Sequence, residues 1–325
     1  MHSNDTSRRE LAWIAVDWGS SNLRAWAMDA QDQVMADAGS DKGMLALAPE
    51  RYEAELLRLV QDWLPDSGQT DVVVCGMAGA RQGWREAAYL PVPAALRKLS
   101  QGAVSPRLEG TRLRVHLLPG LSQSHPHFDV MRGEETQLAG LVAEKPDFSG
   151  RVCLPGTHAK WATLESGAVT QFTTYLTGEL YQLLADQSVL KHSVGSDDLD
   201  DPACQAAFTR AVAEAHAAPQ AFSSRLFGLR AQDLLDSRLP SGSARLAVLS
   251  ARLSGLAIGL ELSDACREQP GDEPVTLIGN PALCRRYRVA LDAIGYPATH
   301  LDGNSAVLAG LRLAHRALTD NGESL

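Results

Sequence analysis

Short apolar runs alternate with polar turns at the start of the chain. Ala12–Val16 predicts a buried strand, and Leu23–Met28 and Gln33–Ala38 predict two further strands of an antiparallel meander. Glu50–Trp63 carries apolar residues on one helical face, and Val72–Cys75 predicts another buried strand. A meander followed by a helix and a strand predicts a mixed α/β domain whose ligands bind at the strand ends.

The same order of elements returns in the second half of the chain. Val152–Leu154, Trp161–Leu164 and Val169–Tyr175 predict a second meander, which indicates an internal repeat. From Thr177 onward the pattern is mainly helical, and Leu246–Leu262 is predicted to be a helix of the core. The chain is therefore expected to contain two related α/β domains.

The first predicted strand leads into a turn that is rich in hydroxyl groups. Asp17 stands at the end of the strand, and Gly19 lets the main chain approach a ligand closely. Donor side chains follow at Ser20, Ser21 and Asn22. A carboxylate can hold a divalent ion directly or through water, so this turn is a candidate site for phosphate and magnesium. The alternative is an ordinary hairpin turn, because the same residue types stabilise turns locally.

A glycine-rich loop after Val72–Cys75 carries two arginines, an amide and an indole. Arg81 can pair with a carboxylate, Gln82 can bond hydroxyl groups, and Trp84 lies beside them in the sequence. The loop is a candidate for binding a carboxylated, hydroxylated molecule. The alternative is a surface loop with solvated arginines and Trp84 packed inward.

Two adjacent carboxylates precede a helical run in the middle of the chain. Glu134 or Glu135 can act there as a general base for a hydroxyl group. The alternative is a first helical turn whose negative charge suits the helix dipole. Upstream, His125–Asp129 contains metal-ligating residue types, but it lacks an identifiable further ligand and is expected to be a polar loop.

The second meander begins with a turn that matches the first in design. Pro155 stands near the place that Asp17 has in the first copy, so this copy lacks the metal-binding carboxylate. It offers glycine, hydroxyl and basic groups instead, at Gly156, Thr157, His158 and Lys160. Such a division suits two domains that close on the phosphates of one nucleotide.

A buried strand near the end of the chain leads into a helix with a strong start signal. Gly279 follows the apolar run, Asn280 is the predicted N-cap, and Pro281 takes the first helical position. A nucleotide can approach a helix N-terminus beside a glycine. The alternative is a well-made strand and helix with no ligand.

Composition limits the class of partner. The 325 residues carry a formal net charge of −9 without long charged runs, which disfavours nucleic acid and anionic membranes as partners. The hydrophobic fraction of 45% is that of a globular protein. The five cysteines form no Cys-x-x-Cys pair and are expected to be reduced and buried. The pattern contains no signal peptide or membrane span, so a soluble cytoplasmic protein is expected.

Four motifs now stand in a definite order, namely Asp17–Asn22, Arg132–Gln137, Pro155–Trp161 and Gly279–Pro281. Together they resemble the sugar-kinase, Hsp70 and actin superfamily. More narrowly, the chain from Trp13 to Ala317 is similar to the 2-dehydro-3-deoxygalactonokinase family. The resemblance implies an α/β fold of two duplicated ribonuclease H-like (actin-like ATPase) domains with an ATP cleft between them. The predicted domains are residues 1–125 and 126–325, with residues 1–10 disordered.

The resemblance also implies an activity, the phosphorylation by MgATP of 2-dehydro-3-deoxy-D-galactonate at its C6 hydroxyl. Asp17 would serve magnesium, and Glu134 is the candidate base with Glu135 as its alternative. The groups expected around ATP are Gly19, Ser20, Ser21, Gly156, Thr157, His158, Lys160, Gly279 and Asn280. Those expected around the substrate are Asn22, Arg24, Arg81, Gln82 and Trp84, with Arg81 or Arg24 on its carboxylate.

The expected partners are therefore ATP, Mg²⁺ and a small sugar acid, and neither nucleic acid nor a membrane. The oligomeric state is open, with a homodimer as one candidate. Two other functions compete with this one. The first is a kinase for another sugar or keto-deoxy sugar acid of the same superfamily, and the second is a non-catalytic ATP-binding regulator.

Overall fold

The computed structural model describes residues 10–110, 112–267 and 273–322, which form two compact units. Unit 1 is drawn from Met1–Ser149, Leu164–Gln171 and Asn304–Leu325, and unit 2 from Gly150–Thr163 and Phe172–Gly303. The disorder predicted for residues 1–10 falls, apart from residue 10, outside the described residues.

A five-stranded mixed sheet forms the centre of unit 1. The elements up to residue 149 are β1 (Trp13–Trp18), β2 (Leu23–Met28), β3 (Val34–Ser40), α1 (Tyr52–Val60), β4 (Thr70–Gly76), β5 (Tyr89–Pro91), β6 (Ala94–Ala95), β7 (Leu113–Leu117), β8 (Gly120–Gln123), β9 (Asp129–Met131) and α2 (Glu134–Glu144). The sheet order is β3-β2-β1-β4-β7. The first three strands pair antiparallel, as predicted, whereas β4 runs parallel to β1 and β7 parallel to β4. Strands β5, β8 and β9 form a small separate sheet.

Helix α1 covers one face of this sheet. Its buried residues Tyr52, Leu56 and Val60 recur every fourth position and pack with Ile14 and Val16 of β1. The helix predicted from the apolar pattern is confirmed in its centre. Short 3-10 turns take the place of its two ends, before Tyr52 and after Val60.

Unit 2 repeats the strand order of unit 1 and adds a larger helical layer. The elements from residue 150 onward are β10 (Gly150–Leu154), β11 (Ala159–Glu165), β12 (Ala168–Tyr175), α3 (Thr177–Gln187), α4 (Pro202–Ala217), α5 (Phe222–Leu235), α6 (Ser243–Ala265), β13 (Val275–Gly279), α7 (Pro281–Ala293), β14 (Ala298–Asp302) and α8 (Gly303–Gly322). Of these, α8 from Asn304 onward and the end of β11 with the start of β12 (Leu164–Gln171) belong to unit 1. The strands follow the order β12-β11-β10-β13-β14, with β13 parallel to both β10 and β14. When the sheet strands of each unit are counted in chain order, both sheets have the same spatial order. It runs from the third strand through the second, the first and the fourth to the fifth. The predicted α/β class and the internal repeat are confirmed.

Helices α2 and α8 touch in unit 1 at two glycines. A Cβ atom on Gly140 would run into the main-chain oxygen of Ala306, and one on Gly310 would run into that of Thr136. Both helices belong to unit 1, together with β1. The predicted boundary after residue 125 stays a prediction.

Helix α6 is the one helix of the described residues that is long and apolar enough to cross a membrane. However, 67% of its apolar window is buried within the fold, where Leu249, Leu253 and Leu256 join a core cluster. The predicted core helix is confirmed.

Replacing Gly310 with alanine is expected to destabilise the protein, because the new methyl group would meet main chain that cannot move aside like a side chain. Overpacking of this kind costs about 1–3 kcal/mol, so the midpoint of urea unfolding should fall. Gly228→Ala on α5 is the control, since a Cβ there meets nothing within 4 Å. Alanine should stabilise that exposed helical position by up to about 1 kcal/mol. An unchanged midpoint for Gly310→Ala would contradict the close contact of α2 and α8.

Candidate active site

Asp17 lies near the end of β1, between two neighbouring strands of unit 1. Its register partners are Arg24 on β2 and Cys75 on β4, and Cys75 Sγ lies 3.7 Å from Asp17 Oδ1. Burial raises the pKa of this carboxyl, Arg24 opposes the shift, and Glu134 adds to it. A carboxylate in such surroundings is stabilised by a cation beside it.

The hydroxyl-rich turn after β1 is braced by a second segment. Main-chain N–H groups of this segment donate to the main-chain oxygens of the turn over 3.0–3.2 Å, in the pairs Gly43 to Ser21, Met44 to Gly19 and Leu45 to Ser20. A Cβ on Gly43 would overlap the turn, so the contact requires glycine. The brace bonds only to main-chain oxygens, and Ser20 and Ser21 are exposed. No local pattern in the sequence predicted this role for Gly43.

Two glycines bring the start of α2 close to the end of β1. Gly76 ends β4 at φ 87°, and a Cβ there would lie 2.6 Å from the main-chain oxygen of Trp18. Gly133 precedes α2 at φ 104°, and its Cβ position lies 3.4 Å from Gly76 Cα. Both conformations favour glycine. They allow Glu134 to begin α2 near enough to Asp17 to shift its pKa.

The two adjacent carboxylates of α2 have different surroundings. Glu135 is fully buried, with Oε2 accepting the Gly133 main-chain N–H over 2.7 Å and Oε1 accepting the Thr136 hydroxyl over 3.2 Å. Burial first, and then the charge of Glu134, raise the pKa of Glu135 to about 8. Glu134 is half-buried, and its Oε2 accepts the main-chain N–H of Arg132 over 3.1 Å. Of the pair, Glu134 is the one with exposed surface.

Trp84 of the glycine-rich loop packs inward, into an aromatic cluster. Its ring centroid lies 5.8 Å from that of Tyr52 and 6.0 Å from that of Trp18. The inward packing that the alternative interpretation expected is present. The indole therefore anchors the loop next to the strand that carries Asp17.

The predicted carboxylate-binding arginines differ in what they contact. Arg81 has 80% of its side chain exposed and lies 3.5 Å from Glu86. Arg24 is exposed and donates a hydrogen bond to Asn304 at the start of α8. The other two predicted substrate residues of loops and turns, Asn22 and Gln82, are exposed.

The His125–Asp129 segment forms part of a polar loop. His127 Nε2 lies 3.6 Å from Asp129 Oδ2. Throughout the described parts of the chain, no three His, Cys, Asp or Glu side chains are grouped so that they could hold a metal ion. A metal at Asp17 would therefore complete its shell with water and phosphate oxygens, as magnesium usually does.

In unit 2, the turn between β10 and β11 packs against the start of α3. Glu179 donates its main-chain N–H to the oxygen of Thr157 over 3.0 Å, and a Cβ on Gly178 would lie 2.6 Å from the oxygen of Gly156. The imidazole Nε2 of His158 lies 2.5 Å from Glu179 Oε2. Thr157 and His158 are exposed, so the turn presents a hydroxyl group and an imidazole.

Lys160 is placed differently from the other residues predicted around ATP. Its side chain is buried, with 5% of the residue exposed, and Nζ donates to the main-chain oxygen of His158 over 3.4 Å. The start of α7 matches the prediction. Asn280 Oδ1 accepts the main-chain N–H groups of the first helical turn at 2.9 and 3.3 Å, and Pro281 begins the helix after Gly279.

A cavity of about 220 Å³ lies within unit 2. Its lining is mainly apolar and includes Gly156 of the turn and Tyr287 of α7. Arg286 at its wall donates to Ser254 Oγ over 2.9 Å and to Asp197 Oδ2 over 2.8 Å. Cavities that enclose drug-sized ligands measure about 300–1,000 Å³, so this one suits a single ring system.

Comparison with known proteins decides the family. The model of the 2-keto-3-deoxy-galactonokinase family matches residues 17–314. The chain belongs to this family. As a member of a kinase family it is a phosphotransferase, with ATP as the co-substrate.

Relatives and a solved structure agree with membership in the 2-keto-3-deoxy-galactonokinase family. A probable 2-dehydro-3-deoxygalactonokinase of Rhizobium meliloti (strain 1021) is 39% identical over 94% of this chain and 97% of its own length. The 2-dehydro-3-deoxygalactonokinase of Escherichia coli (strain K12) is 34% identical over 93% and 97%. The crystal structure of a candidate 2-dehydro-3-deoxygalactonokinase from Sinorhizobium meliloti superposes with a TM-score of 0.84 at 36% identity, covering 94% and 99%. The family predicted from the sequence is confirmed, and the matching strand orders of the two units agree with the predicted duplicated α/β fold.

One residue of this chain whose environment the sequence did not predict is Arg132. It lies in the motif Arg132–Gln137, and its side chain is buried, with 8% of the residue exposed. Its guanidinium donates to the main-chain oxygen of Ala87 over 2.7 Å and stacks on the ring of Tyr89. An arginine before a glycine gives no local signal that it will be buried.

The second missed residue is Glu261, on helix α6 of unit 2. It is 2% exposed and accepts hydrogen bonds from Trp161 Nε1 and the Tyr287 hydroxyl, each over 2.7 Å. Burial raises the pKa of Glu261, and hydrogen bonds from Thr177, Trp161 and Tyr287 oppose the shift. Thr177 and Tyr287 also line the cavity. The buried carboxylate of Glu261 therefore connects α3, β11 and α7 through hydrogen bonds, close to the cavity.

Raising the pH from about 5 to about 8 is expected to destabilise the wild type more than Glu135→Gln. The folded protein keeps the Glu135 proton up to about pH 8, whereas the unfolded chain releases it near 4.5. The folded state thus binds more protons in this window. The contribution of Glu135 to the free energy of unfolding is fully present below pH 4.5. It falls progressively above that pH, and the loss is complete once the pH has passed the folded-state pKa of about 8.

Urea midpoints measured across that pH range test this expectation. The exposed Glu144 at the other end of α2 supplies the control, and Glu144→Gln should follow the wild type. If the Glu135→Gln curve also ran parallel to the wild type, the raised pKa would be refuted.

Glu261→Gln is expected to weaken nucleotide binding. The new amide group would point an N–H at one of the two 2.7 Å donors, and a buried donor left unpaired costs about 1–3 kcal/mol. Asp264→Asn on the same helix is the matched control, since Asp264 also accepts a tyrosine hydroxyl, over 2.8 Å from Tyr175, but is 52% exposed. Calorimetric dissociation constants for ADP measure the effect. Equal affinities of the two variants would count against a link between Glu261 and the nucleotide.

Proposed function

We propose that the protein transfers the γ-phosphoryl group of ATP to the C6 hydroxyl of 2-dehydro-3-deoxy-D-galactonate. The products are ADP and 2-dehydro-3-deoxy-6-phospho-D-galactonate, an intermediate of D-galactonate catabolism. The observation that carries the proposal is the family match over residues 17–314, which includes both hydroxyl-rich turns and the paired carboxylates. Phosphoryl transfer needs positioning and charge neutralisation more than covalent chemistry, and these groups can supply both.

Asp17 is the proposed magnesium ligand. Burial raises the pKa of its half-buried carboxyl and the charge of Glu134 adds to the shift, so a bound cation would stabilise the charged form of Asp17. Magnesium commonly takes one or two protein carboxylates together with phosphate oxygens and water, which fits the single aspartate at this strand end. The bound ion would neutralise charge on the transferred phosphoryl group. Gly19, Ser20 and Ser21 would donate hydrogen bonds to the phosphates.

Glu134 is the proposed general base. It is the half-buried member of the pair, it starts α2, and its carboxylate is oriented by the main-chain N–H of Arg132. Glu135 would keep its proton near neutral pH, because burial raises its pKa to about 8. Its carboxyl is therefore assigned to accepting the main-chain N–H of Gly133, and not to accepting a proton from the substrate hydroxyl.

Unit 2 is proposed to hold the nucleotide. The apolar cavity of about 220 Å³ would accept the adenine ring, with Gly279 and Asn280 beside the nucleoside. Gly156, Thr157 and His158 would contact the phosphates through main-chain, hydroxyl and imidazole groups. Lys160, being buried, would contribute through its charge.

The sugar acid is proposed to bind to exposed groups of unit 1. Arg81, Gln82, Arg24 and Asn22 are exposed, and Trp84 fixes the loop that carries the first two. Arg81 can exchange its exposed partner Glu86 for a carboxylate ligand at little cost, because surface ion pairs are worth about 0–1 kcal/mol. The cytoplasmic location and a homodimeric state remain predictions from the sequence.

A direct assay tests the function. Purified protein with ATP and magnesium should release ADP with 2-dehydro-3-deoxy-D-galactonate, less with its C4 epimer and least with unrelated sugar acids. Phosphorus NMR of the product should place the phosphate on C6. Faster turnover of another acid would favour a kinase of different specificity. ATP binding without ADP release for every acid would favour a regulator.

Glu134→Gln is expected to lower kcat by about 10²–10⁴-fold, the usual contribution of a general base, while the KM for ATP stays close to that of the wild type. Glu144→Gln on the same helix is the matched control and should retain full activity, because Glu144 is exposed at the far end of α2. Near wild-type turnover of Glu134→Gln would remove this residue from the base role.

A further inference from the structure

The guanidinium group of Arg132 is enclosed by the loop that follows β4. Nη2 donates to the Ala87 oxygen over 2.7 Å, and Cζ lies 4.3 Å from the centre of the Tyr89 ring. Nη1 lies 2.8 Å from the position that a Cβ on Gly79 would occupy, so a larger residue there would displace the arginine. Three points of the loop thus hold one guanidinium in a fixed place.

The charge of Arg132 is poorly compensated. Nε and Nη1 are buried and find no hydrogen-bond partner among the described residues. Burial raises the pKa of the adjoining Glu135 carboxyl to about 8 and outweighs the charge of Arg132, which lowers it, so Glu135 compensates the arginine only in part near neutral pH. The carboxylate of Glu134 accepts the main-chain N–H of Arg132 over 3.1 Å. Burying a cation without a paired anion is costly, and a functional role is one explanation for a buried donor that finds no partner.

We propose that Arg132 determines the preference for an acidic acceptor, by stabilising the substrate carboxylate through its buried positive charge. This inference rests on the proposed function and deepens it. Nε and Nη1 are covered by protein, so the arginine acts across the loop and not by direct contact. It is a specificity-determining residue rather than a catalytic one.

A buried charge suits this task better than the exposed arginines do. The side chain of Arg81 is 80% exposed, so solvent and salt screen its charge. Arg24 is exposed and already donates to Asn304. Arg132 is fixed by stacking and a hydrogen bond, and a buried charge is screened much less by salt. The preference for the acid should therefore persist at high ionic strength.

The test compares two acceptors, 2-dehydro-3-deoxygalactonate and its neutral C1 amide, through kcat/KM. Arg132→Gln should lower kcat/KM for the acid by about tenfold or more and leave the amide nearly unchanged. Arg132→Lys keeps the charge and should retain most of the preference. Arg85→Gln is the matched control, because Arg85 is exposed on the same loop and donates to a main-chain oxygen, that of Ser105. The KM for ATP should stay constant throughout.

A second measurement needs no variant. In the wild type, the ratio of kcat/KM for acid and amide should change less than about twofold between about 0.05 and 0.5 M salt. A ratio that collapses with salt would assign the preference to exposed arginines and overturn the proposal. An equal loss for both acceptors in Arg132→Gln would also overturn it, because a purely structural role would produce that result. If the wild type phosphorylates neither acceptor, the proposed function is wrong whatever the role of Arg132. The dissociation constants of the acid for the wild type and for Arg132→Gln, measured by calorimetry, then test whether Arg132 stabilises the bound carboxylate.

Discussion

The parallel pairing of β1 with β4 is the constraint on which the site in unit 1 depends. It sets Asp17 opposite Cys75 and Trp18 opposite Gly76. Because side chains alternate along a strand, a shift of one residue would turn Asp17 to the other face of the sheet. The glycine at the end of β4 then leaves room for Gly133, and with it for the start of α2. The positions of two carboxylates far apart in the sequence thus follow from one strand register.

Three buried ionisable residues differ in how the cost of burial is met. Glu135 remains protonated near neutral pH and accepts a main-chain hydrogen bond. Glu261 is surrounded by hydrogen-bond donors from several elements of unit 2. Arg132 is only partly satisfied, because Nη2 donates to Ala87 whereas Nε and Nη1 find no hydrogen-bond partner in the described part of the chain. A buried cation of this kind can stabilise a bound anion. In unit 2, by contrast, the buried carboxylate of Glu261 has its hydrogen bonds satisfied, in part by residues that line an apolar cavity.

Local patterns were sufficient for much of the fold. The apolar runs predicted β1, β2 and the core helix α6, and the Asn280–Pro281 pair predicted the start of α7. The two similar turns predicted the duplication that the strand orders of the two units show. The strands β7 to β9 were not predicted, because such short strands take their stability from partners distant in the chain. Arg132 binds Ala87 at a separation of 45 residues, and Glu261 binds Trp161 at 100, so neither environment leaves a mark on the neighbouring sequence.

The aromatic cluster beneath the glycine-rich loop also makes the protein observable. Trp18 follows the candidate magnesium ligand directly, Trp84 belongs to the loop, and their rings meet edge-on at 6.0 Å. Indoles at that distance couple their electronic transitions, so small rotations of the loop alter near-ultraviolet circular dichroism. The loop and the strand end therefore share one intrinsic optical probe, which reports on both without any added label.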